Sequence, residues 1–257
     1  MMRYLCFILV CVSLVGCGKS KKSQTKYANA LSAVSLTINV YYEEGAEPYA
    51  GGLTVPQTSL PLKYWDLLQK NLESLFLGRD RLPAIKVPKE LKDMNLLGKG
   101  STSKRWSIDD ALNMAAGVPA PSSESFNIFF VNGRAEENIN IIGFNLTGKN
   151  IIFIFKEVIA QTGSGVGIGD LVPKFVEQAT LIHEMGHAIG LVNNGLAMKT
   201  NHEDHAHKHH CNNENCVMYY ANEGTESLIR FAQSRATNFD LVMFDDHCLN
   251  DARAYRP

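Results

Sequence analysis

The sequence predicts an α+β fold in which helices back a mixed β-sheet and the longest helix lies under a cleft. Three observations support this prediction. Short runs rich in β-branched and aromatic residues alternate with two amphipathic helical segments as far as residue 155. One long helical stretch then covers residues 171–191. The chain that follows is polar and irregular, which predicts a C-terminal subdomain with little regular structure.

Each predicted element has a local signal. The predicted strands, which are short and apolar, are 34–42, 126–131, 139–146 and 150–155, with a tight turn at 147–149. The first predicted helix, 62–77, has its leucines on one face. The second, 107–116, begins with Ser107 as N-cap and closes at Gly117. A glycine-rich loop at 163–169 lacks the Gly-Lys-Ser/Thr ending of a phosphate-binding loop.

Composition and charge argue against two kinds of partner. The chain has 257 residues, 45% hydrophobic and 20% charged, so it can bury the core of a globular domain. Its net charge of -1, with acidic and basic residues mixed, argues against a nucleic-acid surface and a polybasic membrane patch. Histidine is the unusual residue, because seven of the eight lie between His183 and His210.

The N-terminus has the pattern of a bacterial lipoprotein signal. A positive start is followed by an apolar run at 4–15, too short to span a bilayer, and then by Leu-Val-Gly before Cys17. This resembles a lipobox and implies a signal peptide at 1–16, a lipid on Cys17 and a flexible tether at 17–30. An ordinary cleaved signal or an anchor helix is the alternative. We expect a lipid-anchored envelope protein, in the outer membrane and facing the periplasm or the exterior.

The predicted long helix carries the segment His183-Glu184-Met185-Gly186-His187. Histidines four residues apart lie on one helical face, so both imidazoles can bind one zinc ion. Glu184 lies beside that pair, where it can reach a zinc-bound water without being a ligand. The alternative is a pair of surface histidines beside a solvated glutamate.

Downstream residues add a resemblance to a known family. Gly190 extends the motif to His-Glu-x-x-His-x-x-Gly, and here the chain resembles the metzincins. In that clan the glycine lets the chain turn sharply out of the helix toward a third histidine. The chain departs from the pattern at the usual third position, which holds Asn193, a poor zinc ligand.

A later segment is similar to the archaemetzincin pattern. His210 directly precedes Cys211, and Cys216 and Met218 follow with the spacing of that family. An insertion at 193–209 between the glycine and the third ligand is therefore expected.

The predicted zinc ligands are His183, His187 and His210. His202 is the main alternative for the third ligand, and the less favoured ones are His205, His207 and His209. The other interpretation of this His-rich stretch is a flexible loop that scavenges metal.

Met218 matches the methionine turn that lies under the metal site in metzincins, although a buried core methionine would have the same pattern. Tyr220 stands two residues later, like a zinc-proximal tyrosine in astacin-like and serralysin-like members. The resemblance implies that Tyr220 binds zinc in the resting state or contacts the reaction intermediate. A plain core or rim tyrosine is the alternative.

The cysteines allow two interpretations. In archaemetzincins, further cysteines complete a second, structural zinc site with the two near the third histidine. Only Cys248, with Asp245 and His247 beside it, is available here. A Cys211–Cys216 disulfide, with Cys248 unassigned, is therefore favoured over a second zinc site.

The resemblance implies a zinc-dependent endopeptidase, which hydrolyses peptide bonds with a zinc-activated water and Glu184 as general base. Its domain is expected at 31–257, with subdomains at about 31–192 and 193–257. Expected partners are a peptide or protein substrate, which strand 150–155 could bind by strand addition, and the membrane through the lipid; nucleic acid is not expected. The alternatives are a non-catalytic zinc-scavenging lipoprotein and an inactive peptidase-like binding module.

Overall fold

The computed structural model describes residues 30–53, 61–79, 81–163, 171–238 and 240–256. The predicted signal peptide, Cys17 and nearly all of the tether lie outside these residues, as does most of the glycine-rich loop. None of the helices in the described residues combines the length and the apolar character needed to cross a membrane.

In the described residues every strand lies before residue 156, and four of the six helices begin at or after that residue. The strands are β1 (Ser35–Glu44), β2 (Gly52–Leu53), β3 (Leu62–Lys63), β4 (Ala84–Lys86), β5 (Asn95–Lys99), β6 (Arg105–Trp106), β7 (Ser125–Val131), β8 (Arg134–Ala135), β9 (Gly143–Leu146) and β10 (Ile151–Phe155). The helices are α1 (Trp65–Ser74), α2 (Ile108–Ala116), α3 (Lys156–Ala160), α4 (Leu171–Ile189), α5 (Thr225–Asn238) and α6 (Asp246–Ala254). Single 3-10 turns lie at Leu91–Asp93, Gln161–Gly163 and Tyr220–Glu223.

Within the described residues, one six-stranded mixed sheet forms the centre of the fold. Its order is β4-β1-β7-β10-β9, and β5 also pairs with β1. All pairs are parallel except that between β9 and β10. The predicted α+β class is confirmed. Strand 150–155 was expected to accept a substrate by strand addition, which needs a strand at the sheet edge. That expectation is wrong, because the hairpin with β9 leaves β10 between β7 and β9.

One face of the sheet carries a row of stacked aromatic rings. Tyr41, Phe129, Phe153 and Phe144 come from β1, β7, β10 and β9 in turn, with successive ring centroids 5.1, 4.7 and 5.4 Å apart. The row follows the strand register, because directly paired residues point to the same face. Trp106 of β6 covers this face, with its ring 5.9 Å from that of Phe153.

Helix α4 packs against β9 and β10, with α1 and α5 beside it, and nearly all of its residues are buried. Gly143 of β9 allows a close approach between strand and helix. A Cβ at Gly143 would lie 2.9 Å from the Phe153 carbonyl oxygen and 2.9 Å from Thr180 Cγ2 of α4. The edge strand therefore runs directly beside the helix that carries the zinc motif.

Most predicted elements form close to their expected bounds. Helix α2 begins after Ser107, whose Oγ accepts a hydrogen bond from the Asp110 N–H at 3.1 Å, as its N-cap should. Two predictions were too long. The strand predicted at 139–146 pairs with β10 only from Gly143 onward. The helix predicted at 62–77 starts at Trp65, because the preceding residues form β3.

Candidate zinc centre

Helix α4 carries His183, Glu184 and His187 near its C-terminus, and all three side chains are buried. The one-turn spacing brings the Nε2 atoms of the two histidines to 3.0 Å from each other. Their ring planes are 80° apart, so the two nitrogens converge from different directions. Two imidazoles arranged in this way can bind the same cation. A pair of solvated surface histidines would have no reason to be buried with converging nitrogens.

The chain leaves α4 through a glycine turn. Gly190 has a φ of +96°, and its N–H donates to the His187 carbonyl oxygen at 3.0 Å. The Leu191 N–H donates to the Gly186 carbonyl oxygen, also at 3.0 Å. These two bonds define a Schellman motif, the sharp exit predicted for Gly190. Val192 also has a positive φ, of +52°, which is an unfavourable conformation for a β-branched residue.

Met218 packs directly beneath the two histidines. Gly186 lies between them in the helix, and a Cβ there would overlap the Met218 sulfur. Met218 is fully buried, and its carbonyl oxygen accepts a hydrogen bond from the Cys211 N–H at 2.8 Å. The methionine therefore packs against the helix between His183 and His187.

The structure also brings the His210 ring close to the rings of His183 and His187. Its ring centroid lies 5.4 Å from that of His183 and 4.8 Å from that of His187. The His210 Nδ1–H donates to the Lys208 carbonyl oxygen at 3.0 Å, and the His183 Nδ1–H donates to the Val217 carbonyl oxygen at 2.7 Å. In both rings the bond from Nδ1–H to a backbone carbonyl fixes the ring orientation and leaves Nε2 as the nitrogen that faces the shared point.

Glu223, which the sequence analysis did not identify, completes the cluster. Its Oε1 lies 2.9 Å from the His210 Nε2. One donor atom from each of His183, His187, His210 and Glu223 lies within 4.8 Å of every other. Glu223 belongs to the 3-10 turn after Met218, where no spacing motif marks it in the sequence.

The other histidines of the insertion lie elsewhere. His202 is buried, but it joins a separate group of cysteines, so the structure places His210 and not His202 beside the helix pair. Tyr220 is partly buried, and its ring stacks on that of His207 at a centroid distance of 3.6 Å. Its role toward zinc stays a prediction. The remaining histidines of the insertion are exposed, namely His205, His207 and His209.

Burial sets the charge state of the motif. Desolvation, with the His210 charge added, lowers the pKa of His183 to about 4, and desolvation lowers that of His187 well below its usual value. Neutral imidazole is the form that binds metal. Burial raises the pKa of Glu184 to about 7, although the Asn145 Nδ2–H, which donates to Glu184 Oε2 at 3.2 Å, opposes the shift. A carboxyl group with that pKa suits a general base at neutral pH.

A second group of donors lies where the insertion meets α6. The His202 Nδ1 lies 3.3 Å from the Cys211 sulfur, and the Cys216 and Cys248 sulfurs are 3.6 Å apart. Asp245 Oδ2 accepts from the Cys211 thiol at 3.4 Å. Contacts with Cys216 and Cys248 lower the pKa of the Cys211 thiol. One donor atom from each of His202, Cys211, Asp245 and Cys248 lies within 4.8 Å of every other, and the Cys216 sulfur adjoins this group at Cys248. His202, Cys211, Cys216 and Cys248 are together called the cysteine cluster below.

The favoured Cys211–Cys216 disulfide is not formed. Cys211, Cys216 and Cys248 are all buried free thiols. A disulfide needs its sulfurs about 2.05 Å apart, whereas Cys211 contacts the His202 ring and Cys216 contacts Cys248 without a covalent bond. Cys248, which the sequence left unassigned, therefore belongs to the same cluster as the other two.

Both donor groups have the chemistry of a zinc site. The histidine group offers three buried imidazole nitrogens around one point, the donor set of many catalytic zinc centres. The cysteine cluster offers one imidazole and three sulfurs, a donor set of structural zinc sites. Zinc–sulfur bonds of about 2.3 Å place tetrahedral sulfurs about 3.8 Å apart. The observed 3.6 Å between Cys216 and Cys248 is close to that separation.

No protein-family model matches the sequence, and no curated protein matches it. Among solved structures, the fold is similar to a crystal structure of archaemetzincin from Methanopyrus kandleri, with a TM-score of 0.43 and 12% sequence identity. The likeness covers 86% of this chain and 94% of that one.

Proposed function

We propose that this chain is a zinc-dependent endopeptidase, with His183, His187 and His210 as zinc ligands and Glu184 as general base. The observation that carries the proposal is the convergence of three buried imidazoles beside a buried carboxyl group that is held outside the ligand set. A site built only to store zinc has no need of that carboxyl group. A hydrolytic site needs it to move protons.

Each residue has a defined task. A zinc ion held by the three imidazoles would act as a Lewis acid. It would polarise a peptide carbonyl and lower the pKa of water at the site. Glu184 takes the proton from the attacking water and gives it to the leaving amine nitrogen. Asn145 holds the Glu184 carboxyl group through its Nδ2–H at 3.2 Å. Backbone carbonyl oxygens fix the rings of His183 and His210 through their Nδ1–H groups.

The substrate is proposed to lie along the outer edge of β9. Asn145 belongs to this edge strand and also touches Glu184, so a peptide paired with β9 would pass the general base. The Asn145 Oδ1 is buried and has no hydrogen-bond partner among the described residues. A cavity of about 420 Å³, lined in part by Trp106 and Phe144, adjoins Asn145 and can hold a substrate side chain.

Zinc removal and return test this function. The chelated protein should not cleave an unfolded polypeptide, and added zinc should restore cleavage as the histidine site fills. Cleavage that persists after the histidine-site zinc is lost would contradict the proposal. A protein that holds several weak zinc ions and never cleaves would instead be a metal scavenger.

A second, structural zinc ion is proposed at the cysteine cluster. Its four donors come from three segments: His202 lies in the insertion and Cys211 just after it, Cys216 precedes Met218, and Cys248 lies in α6. The His202 Nε2–H donates to Asp251 Oδ2 at 2.7 Å, which leaves Nδ1 facing the sulfurs. In zinc sites, a ligand histidine commonly donates its other ring N–H to a carboxylate in this way, which fixes the orientation of the ring.

Asp245 is better placed as a support than as a ligand of this ion. Its Oδ1 caps α6 by accepting from the Cys248 N–H at 3.0 Å. Its Oδ2 accepts from the Asn213 amide at 2.8 Å, in addition to the Cys211 thiol at 3.4 Å. The four-donor set of one histidine and three cysteines therefore satisfies zinc without it.

Replacing Cys216 with serine should release the structural zinc and destabilise the protein by at least about 3 kcal/mol, which is about 6–12 °C in Tm for a domain of this size. The physical reason is that the zinc ion would join three segments of the chain, so that its binding free energy adds to the folding free energy. Zinc content and thermal unfolding measure the effect, with the exposed His209→Ala as the control. An unchanged zinc content and Tm in Cys216→Ser would rule out the site.

The lipid anchor remains a proposal that rests on the residues up to Cys17. If Cys17 is lipidated at the outer membrane, the tether holds the peptidase domain off the membrane surface, where protein substrates in the periplasm or outside the cell can reach it. Labelling with a radioactive fatty acid, lost in Cys17→Ala, would show the anchor, and its absence from the wild-type protein would refute it.

A further inference from the structure

We propose that Glu223 is a fourth protein ligand of the catalytic zinc in the resting protein, and that substrate must displace its carboxylate before the peptide carbonyl can reach the metal. This inference rests on the proposed zinc peptidase and adds a means of regulating the same site. It assigns Glu223 a role that neither the zinc motif nor the methionine turn implies.

The geometry places the Glu223 carboxylate among the histidine nitrogens and not merely near them. Its Oε1 lies 2.9 Å from the His210 Nε2, the ring atom left for metal because Nδ1–H is bonded to a backbone carbonyl. A tetrahedral zinc ion with bonds of about 2.0–2.1 Å separates its ligand atoms by about 3.3 Å. The observed contacts of 2.9 Å at Glu223 and 3.0 Å between His183 and His187 are both close to that separation.

The chain holds Glu223 in this position through Asn222. The Asn222 side chain is buried, and its Nδ2–H groups donate to the Cys216 and Val217 carbonyl oxygens, each at 3.2 Å. The Val217 carbonyl is the same group that orients His183. The 3-10 turn that carries Glu223 is thus tied to the peptide that positions a zinc ligand.

The carboxylate is nevertheless able to leave. The Glu223 side chain is 49% exposed, whereas that of His210 is 11% exposed. A half-exposed carboxylate can rotate into water at little cost, because water replaces the hydrogen bonds that it loses. The three imidazoles are neutral donors, so a carboxylate on the open side also reduces the charge of the bound ion while substrate is absent. The buried ligands therefore stay in place, and Glu223 is the ligand that substrate displaces.

Cobalt substitution tests this inference by a readout other than activity. The protein is loaded with Co²⁺ in place of zinc, and the visible d–d spectrum of the histidine site is obtained as the difference from His210→Ala. Glu223→Gln should change this spectrum and weaken Co²⁺ binding about tenfold or more, because a carboxylate ligand is lost. Binding of acetohydroxamate, which needs the same coordination positions, should tighten by about tenfold in Glu223→Gln.

Glu226→Gln is the matched control, because Glu226 is an exposed glutamate on the first turn of α5 and contacts Arg230. It should leave the spectrum, Co²⁺ affinity and acetohydroxamate binding unchanged. If Glu223→Gln also leaves all three unchanged, Glu223 only pairs with His210 and the inference is overturned. If the wild-type protein binds no Co²⁺ at the three histidines, both the zinc-peptidase proposal and the inference about Glu223 fail.

Discussion

Replacing His210 with alanine is expected to remove one of two bound zinc ions and to lower peptide cleavage by more than about 100-fold. Changing a residue that only supports a zinc ligand typically costs 10–100-fold in metal affinity or activity, so losing a ligand itself should cost more. The fold should persist, because the His210 ring contacts the two other histidines and the partly exposed Glu223 and is not part of the apolar core. Zinc content by mass spectrometry and cleavage of an unfolded protein measure the two effects.

The matched variant is His202→Ala, which separates the two donor groups. His202 faces Cys211 and is bonded to Asp251, so its loss should release the other zinc ion and lower the Tm. The catalytic zinc should stay bound. If His202→Ala abolishes catalytic zinc binding while His210→Ala retains it, His202 and not His210 is the third ligand of the catalytic zinc.

Replacing Glu184 with glutamine should lower cleavage by about 10²–10⁴-fold while zinc content stays the same. The amide keeps the size of the carboxyl group and can still accept the hydrogen bond from Asn145, but it cannot take a proton from water. Because Glu184 is not among the grouped metal donors, zinc affinity should change little. Steady-state cleavage rates at matched zinc content give the measurement.

Two other outcomes for Glu184→Gln would contradict the role of Glu184 as general base. A rate within about threefold of wild type would mean that Glu184 is not the general base. A loss of both zinc and activity would mean that Glu184 is needed to hold the metal site together. Removing only a general base would leave the three zinc ligands in place.

The zinc motif and its helix were predictable because they are local. Histidines four residues apart share a helical face in any sequence that forms the helix, and the glycine after them needs only a positive φ at one position. Gly190 has that conformation. The positions of the central strands were predictable for a similar reason, because a strand buried on both faces is a mostly apolar run such as that of β7.

The contacts that depend on the insertion could not be predicted. Cys211 pairs through isolated bridges with Glu203 on one side and Tyr219 on the other, and this pairing brings His202 to the cysteines. The spacing of residues in the sequence does not predict a contact between residues that an irregular loop brings together. Glu223 has no signal for the same reason, since its approach to His210 depends on a turn held by Asn222.

Cleavage of a defined polypeptide shows whether the three histidines and Glu184 hydrolyse peptide bonds. An unfolded polypeptide is incubated with the zinc-loaded wild-type protein and, separately, with Glu184→Gln at equal zinc content. New peptide termini are then identified by mass spectrometry. New N-termini formed by the wild type and absent with Glu184→Gln are the predicted result. Absence of cleavage by a wild-type protein that holds zinc at the three histidines would contradict the account and indicate a non-catalytic binding module.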